Sequence, residues 1–440
     1  MVEAVNPCTS AISGKHVVRR NLPKPKRRTK SLLINCEAFG ERAYVDGIWS
    51  SSIAYRESTS TFYWLGCIDF ASTYIYTASS PEGSWEQQSI IPNCYYDAGL
   101  LIDDDDTIVA QLSNDGLSEV STQQVFSTPE DIGTLEGSRF YKRDGQYYIF
   151  MTRPANGQYI IKSSSPMQGY GDAHQVLLDM ATPISGGGVP HQGSLVSTAD
   201  DNWYYMGFDS DGWPVITTVN SGWGSNYPFP LPESPVNPTT GTDKFPGTKL
   251  GPAWEWNHNP DTSAFSVDDG LTLSAGTVTD DIYSARNTLT RRIHGPEGSE
   301  TLELDFSGMA DGDRAGLALL RDQSAYVGIA RDGDSFAVNY VDGITMDTNW
   351  ETTSPGTVGA SEGIQLNGTV WLRIVADIAP GGSNAATFHY STDGSTFAQI
   401  GGSFTMSTDW HFFIGYRYGI FEFATQALGG SVKVVSFKSE

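Results

Sequence analysis

The sequence predicts an all-β protein, with a blade-like repeat in its first half and a two-sheet sandwich in its second. Three observations carry this reading. Gly, Tyr, Phe and Trp number 47, 21, 20 and 11, while charged residues make up only 18% of the chain. That turn-rich, aromatic composition suits half-buried strands. A strand–turn–strand unit recurs at intervals of about 40 to 55 residues, the spacing of propeller blades. Beyond Trp254 alternating apolar runs follow one another with turns such as Arg331-Asp332-Gly333 between them. At 440 residues, two domains are expected rather than one core.

Residues 1–35 show no periodicity and read as a basic, disordered leader, with eight Lys/Arg and Glu3 as the one acid in residues 1–30. The run KPKRRTK resembles a nuclear address or an RNA-binding arm. The rest of the chain carries 19 basic against 50 acidic residues. So acidic a body repels nucleic acid. No apolar run is long enough to span a bilayer. No charged-then-apolar secretion signal stands at the N-terminus. Of Cys8, Cys36, Cys67 and Cys94, Cys67 and Cys94 sit in neighbouring units. They read either as a disulfide in an oxidising compartment or as two buried thiols. Asn367-Gly368-Thr369 is a sequon, usable only in a secreted chain.

Residues 36–235 hold the repeat. Unit one reads Gly47-Ile48-Trp49, SSIAY, a polar turn, TFYWLG. Unit two reads Tyr96-Asp97, AGLLI, the turn Asp103 to Asp106, TIVAQL. Unit three reads Glu136, SRFYK, the turn Arg143-Asp144-Gly145, QYYIFMT. Unit four reads Pro190-His191-Gln192, GSLVS, a turn, WYYMGF. The first strand of a propeller blade is innermost. Trp49, Asp97, Glu136 and His191, which enter those strands, are therefore expected to converge near the axis. Two acids, an imidazole and an aromatic in one pocket suit acid–base work on a sugar, with the aromatic face stacking on its C–H groups. At about 45–50 residues per blade the region holds roughly four blades. Asp103–Asp106 looks like a metal cluster but reads as a solvated turn. Residues 236–252 are rich in Pro, Gly and Thr and read as a linker that wraps the domains. Residues 253–440 read as the sandwich, with Trp254, Trp256 and His258 packing between the domains.

The motifs GIWSSSIAYR, YYDAGLLIDDDD, LEGSRFYKRDGQYYIF, GGGVPHQGSLVSTADDNWYYMGF, LGPAWEWNHNPD and FFIGYRYGIF, in this order, resemble glycoside hydrolase family 43. The likeness is to its β-xylosidase and α-L-arabinofuranosidase members with a concanavalin-A-like C-terminal module, and it covers about residues 40–440. It implies a five-bladed β-propeller, here incomplete, followed by a concanavalin-A-like β-sandwich. It also implies inverting hydrolysis of arabinofuranosyl or xylosyl linkages in hemicellulose, outside the cell, by a monomer. Glu136 would be the general acid and Asp97 the residue that tunes its pKa. Trp49 would wall the sugar site. His191 would lie at the pocket base, where some members hold a structural calcium. No cofactor is required for the reaction.

The sequence departs from that family at the general base, an Asp of the first blade. Upstream of Gly47 the acids are Glu3, Glu37, Glu41 and Asp46, and none stands in that context. The first blade is therefore expected to be absent or replaced, with further shortenings after Asp106 and between Phe208 and Gly212, as in a truncated gene product. Weak or no turnover follows. A non-catalytic carbohydrate-binding protein and an inactive gene product are the alternatives.

Overall fold

The computed structural model describes residues 48–82, 84–100, 110–170, 175–183, 188–197, 203–204, 207–227, 232–235, 238–257, 260–364, 368–409 and 415–440. The basic leader and the Asp103–Asp106 turn lie outside the described residues.

Two four-stranded antiparallel sheets dominate the first half, each with its strands in chain order. One is Ile48–Arg56, Thr61–Ile68, Ser72–Ala78 and Glu86–Ile91; the other is Glu136–Arg143, Gln146–Thr152, Gln158–Ser163 and Gln175–Leu178. Sequential up-and-down order within a four-stranded sheet is the layout of a propeller blade. Between them, among the described residues of unit two, Ala110–Leu112 pairs with Glu119–Thr122. Unit four contributes two short pairs, Val196–Ser197 with Trp203–Tyr204 and Gly207–Phe208 with Pro214–Val215. The stretch between Phe208 and Gly212, read as shortened, closes as a tight turn in which Asp209 Oδ1 accepts the backbone N–H of Asp211 and Trp213.

The Gln146–Thr152 strand shows why the aromatic hairpins are central. Tyr147, Ile149 and Met151 join Ile132, Phe140 and Ile161 on one face, while Tyr148 and Phe150 pack with Ile160 and Leu195 on the other. A strand covered on both faces needs a continuous apolar run, and QYYIFMT is one. Asp144 and Gly145 both adopt positive φ, 51° and 72°, as a two-residue hairpin turn of matching twist requires.

Cys67 and Cys94 form a disulfide, which settles the open choice between a bridge and two thiols. Thr73 reinforces it: its Oγ1 donates to Asn93 O and accepts the N–H of Tyr95, each at 2.8 Å.

The sandwich consists of a nine-stranded and a seven-stranded sheet. Alternate residues face inward, among them Leu302, Leu304, Leu372 and Val434 from one sheet and Leu317, Val327 and Ile420 from the other. The sandwich begins earlier than residue 253. Gly241–Asp243 pairs with Phe437–Ser439 of the last strand, and Phe245 is buried in the core. The second part of the stretch read as linker is therefore a strap on the sandwich. Composition hid this, because the pairing partner lies at the far end of the chain. Trp254 and Trp256 likewise belong to the sandwich, not to inter-domain packing. Trp254 packs on Phe245 and Phe437, and Trp256 on Phe265. His258 lies outside the described residues.

Inside the sandwich Glu422 is buried. Burial pushes its carboxyl up to about 9, and the charge of Asp313 adds to the rise. A carboxyl raised by folding favours the fold below its ordinary value of 4.5 and ceases to do so as the pH climbs toward 9. Glu422→Gln is therefore expected to flatten the decline of the sandwich melting temperature across that window. An unchanged slope in thermal scans of the variant would contradict this assignment.

Candidate active site

Glu136 opens the first strand of the second four-stranded sheet, with its backbone opposite Thr152. The register shifts between Glu136 and Arg139, and Gly137 between them has a φ of 62°. Such a bulge re-aims the side chain at the strand's end. A Cβ at position 137 would lie 2.6 Å from Gln192 Nε2, so the glycine leaves room for the Gln192 side chain next to Glu136.

Asp97 arrives from the preceding unit. It is not the first residue of a strand, as the repeat suggested, but sits in a left-handed turn with φ 55° and is only 7% exposed. Asp tolerates that conformation better than most residues. The chain after it threads between two sheets. Ser52 Oγ donates to Ala98 O on one side. On the other, a Cβ at Gly99 would lie 2.8 Å from both Arg139 Cα and Phe140 N. The missing side chain at Gly99 thus brings the Asp97 turn against the Glu136 strand.

His191 lies on a loop and not at a strand entry. Gln192, with φ 60°, turns the chain there, and long-range bonds hold the loop. Gln192 N–H donates to Thr152 Oγ1 at 3.1 Å, Gln158 Nε2 donates to Gly193 O at 2.8 Å, and Leu195 N–H donates to the Tyr141 hydroxyl at 2.9 Å. His191 is exposed, its Nδ1 3.2 Å from Val189 O. No group of three or more His, Cys, Asp or Glu side chains able to hold a metal occurs among the described residues. Trp49 lies in the first strand with its backbone opposite Cys67. Its side chain lies outside the described residues.

The electrostatics draw Glu136, Asp97 and His191 into one field. Burial raises the Glu136 carboxyl above its ordinary value, Asp97 raises it further, and His191 opposes them. Tyr96 joins this group, although the repeat did not single it out. Burial and then the charges of Glu136 and Asp97 raise its phenol. Its ring, 41% exposed, meets Phe70 edge-on at 5.9 Å. The available signal was its position directly before Asp97. Tyr96, Glu136 and Ser138 also line a cavity of about 470 Å³ whose other walls include Leu65, Leu112 and Phe126. These apolar walls give Glu136 a low-polarity side, which favours its neutral form.

A carboxyl that keeps its proton to higher pH, raised by burial and by a second carboxyl beside it, is better equipped to donate that proton. Asp97→Asn removes part of the rise. The alkaline limb of the pH–rate profile is expected to move to lower pH, because Glu136 would lose its proton sooner. A limb that stays in place would separate Asp97 from this role.

Comparison with known proteins identifies the architecture. The family described as "Beta xylosidase C-terminal Concanavalin A-like domain" matches residues 242–440. A solved family 43 glycoside hydrolase, engineered to display both endo-xylanase and exo-arabinofuranosidase activity, is 39% identical. The match covers 92% of this chain and 88% of that one, with a TM-score of 0.83. The chain belongs to glycoside hydrolase family 43. Its propeller-plus-sandwich plan is that of the family. A putative beta-xylosidase of Xylanibacter ruminicola is 26% identical over 83% of this chain and 72% of its own length. A beta-xylosidase of Formosa agariphila is 24% identical over 89% and 77%.

Proposed function

We propose that this family 43 chain hydrolyses O-glycosidic bonds of hemicellulose with inversion, releasing arabinofuranosyl or xylosyl residues from arabinoxylan or xylan. The observation that carries the reading is Glu136, half-buried and raised, in the field of Asp97. Protonated Glu136 gives its proton to the glycosidic oxygen as the bond to the anomeric carbon breaks. Water enters from the opposite face and inverts that centre. The charge of Asp97 raises the Glu136 carboxyl and so helps it keep the proton until the leaving oxygen takes it. Tyr96 borders the same space. The activities of the relatives support the substrate class.

The residue that takes the proton from water is not assigned. The family's base belongs to the first blade, and the acids upstream of Gly47 lie outside the described residues. Turnover is expected to be slow, because none of Glu3, Glu37, Glu41 and Asp46 stands in the sequence context of that base. The disulfide supports an oxidising, extracellular setting. The acidic body argues against nucleic-acid partners. Among the described residues no helix is long and apolar enough to cross a membrane.

Incubation with arabinoxylan oligosaccharides, followed by chromatography and calorimetry, tests the reading. Slow release of arabinose or xylose supports it. Heat of binding with no sugar released favours the non-catalytic binding protein. Neither heat nor release removes both.

A further inference from the structure

The strap that leads into the sandwich closes one end of it. Gly241 lies opposite Ser439 of the last strand. Thr239 O accepts Nη2 of Arg291 at 2.9 Å, and Asp243 Oδ2 accepts Trp254 Nε1 at 2.9 Å. The Arg291 guanidinium stands 5.6 Å from the Trp254 ring and 5.7 Å from that of Phe437. Arg291 is thus wedged between strap and core. Ser439 is also in register with Glu300, which is only 4% exposed. Glu300 Oε2, the Tyr418 hydroxyl and Arg291 Nε are all buried there without a hydrogen-bond partner. Buried polar groups are normally paired, so this corner has an unmet demand that opening to water relieves.

We propose that Glu300 is a pH-sensitive latch on this strap. Neutral, it lets the strap seal the end of the sandwich. Ionised, it favours an open strap, in which Arg291 leaves the Thr239 carbonyl and pairs with Glu300.

The surrounding charges fit this role. Arg291 faces Glu300 from the Leu289–Arg292 strand and Tyr418 from the Arg417–Ala424 strand. Glu440 follows the last strand, with Arg373 Nη2 3.9 Å from its Oε2. Asp243 stands on the strap itself, and Glu255 is paired with Arg417. Burial pushes the Glu300 carboxyl up to about 7, against the pull of Ser439 and Arg291. The sign follows from the direction of that rise. Strap closure is fully favoured below the ordinary carboxyl value of 4.5 and is lost as the pH rises to about 7. The opening equilibrium changes by up to about tenfold per pH unit in that window and levels off above it.

Hydrogen exchange of residues 238–247 in the full chain, corrected for intrinsic rates, tests the latch. Protection of the wild type should fall across the window, while Glu300→Gln stays protected throughout. Arg291→Gln, which removes the bond to Thr239, should leave the strap poorly protected at every pH. Wild-type protection that does not change with pH, or a pH dependence that survives in Glu300→Gln, would overturn the proposal.

Discussion

Glu136→Gln is expected to lower kcat on arabinoxylan oligosaccharides by about 10²–10⁴-fold, the usual contribution of a positioned general acid. Sugar affinity measured by calorimetry should stay near the wild-type value, because Gln keeps the shape and the hydrogen-bonding capacity of the side chain. The loss should be much smaller on p-nitrophenyl arabinofuranoside or xyloside, whose leaving group departs without a proton. This dependence on the leaving group separates a proton donor from a residue that merely shapes the pocket. An equal loss on both substrates, or none on either, would take the role from Glu136.

Replacing Cys67 and Cys94 together by Ala is expected to destabilise the propeller by about 3–4 kcal/mol, from the chain-entropy cost of closing the loop between them. The two residues are 27 apart in sequence, and Cys67 is buried. The loss should appear in the propeller's denaturant transition, with the sandwich transition unmoved, because no described residue of the sandwich is tied to the bridge. Turnover should fall as well. Asp97 lies three residues beyond Cys94, so the staple that fixes the strand end also fixes the carboxylate beside Glu136. An unchanged propeller midpoint would show that Thr73 and the Tyr95–Glu119 hydrogen bond, at 2.6 Å, hold that segment unaided.

Local pattern made much of the fold legible. The Arg143-Asp144-Gly145 turn and the run QYYIFMT marked the third hairpin, because turn chemistry and strand burial act over a few residues. The alternating apolar runs beyond Trp254 marked the sandwich strands for the same reason, and Leu302, Leu304 and Leu372 of those runs face inward. Features set by distant partners were less visible. Asp97 looked like a strand entry, but it sits in a left-handed turn, two residues before the close approach of Gly99 to the Arg139 backbone. His191 looked like the start of a strand, but Thr152, Gln158 and Tyr141 hold its segment as a loop. Gly241–Asp243 looked like linker because its partner strand is the last in the chain. At the site, residue type pointed to Glu136 and Asp97. Tyr96 emerged only from its place in their shared field.

The most direct measurement is a carbon NMR titration of the Glu136 carboxyl in the wild type and in Asp97→Asn. Glu136 is expected to titrate above the ordinary glutamate value in the wild type. In Asp97→Asn it should fall partway back, with the share due to burial remaining. An ordinary value in the wild type, or a raised value that Asp97→Asn leaves unchanged, would contradict the assignment of Glu136 as a proton donor tuned by Asp97.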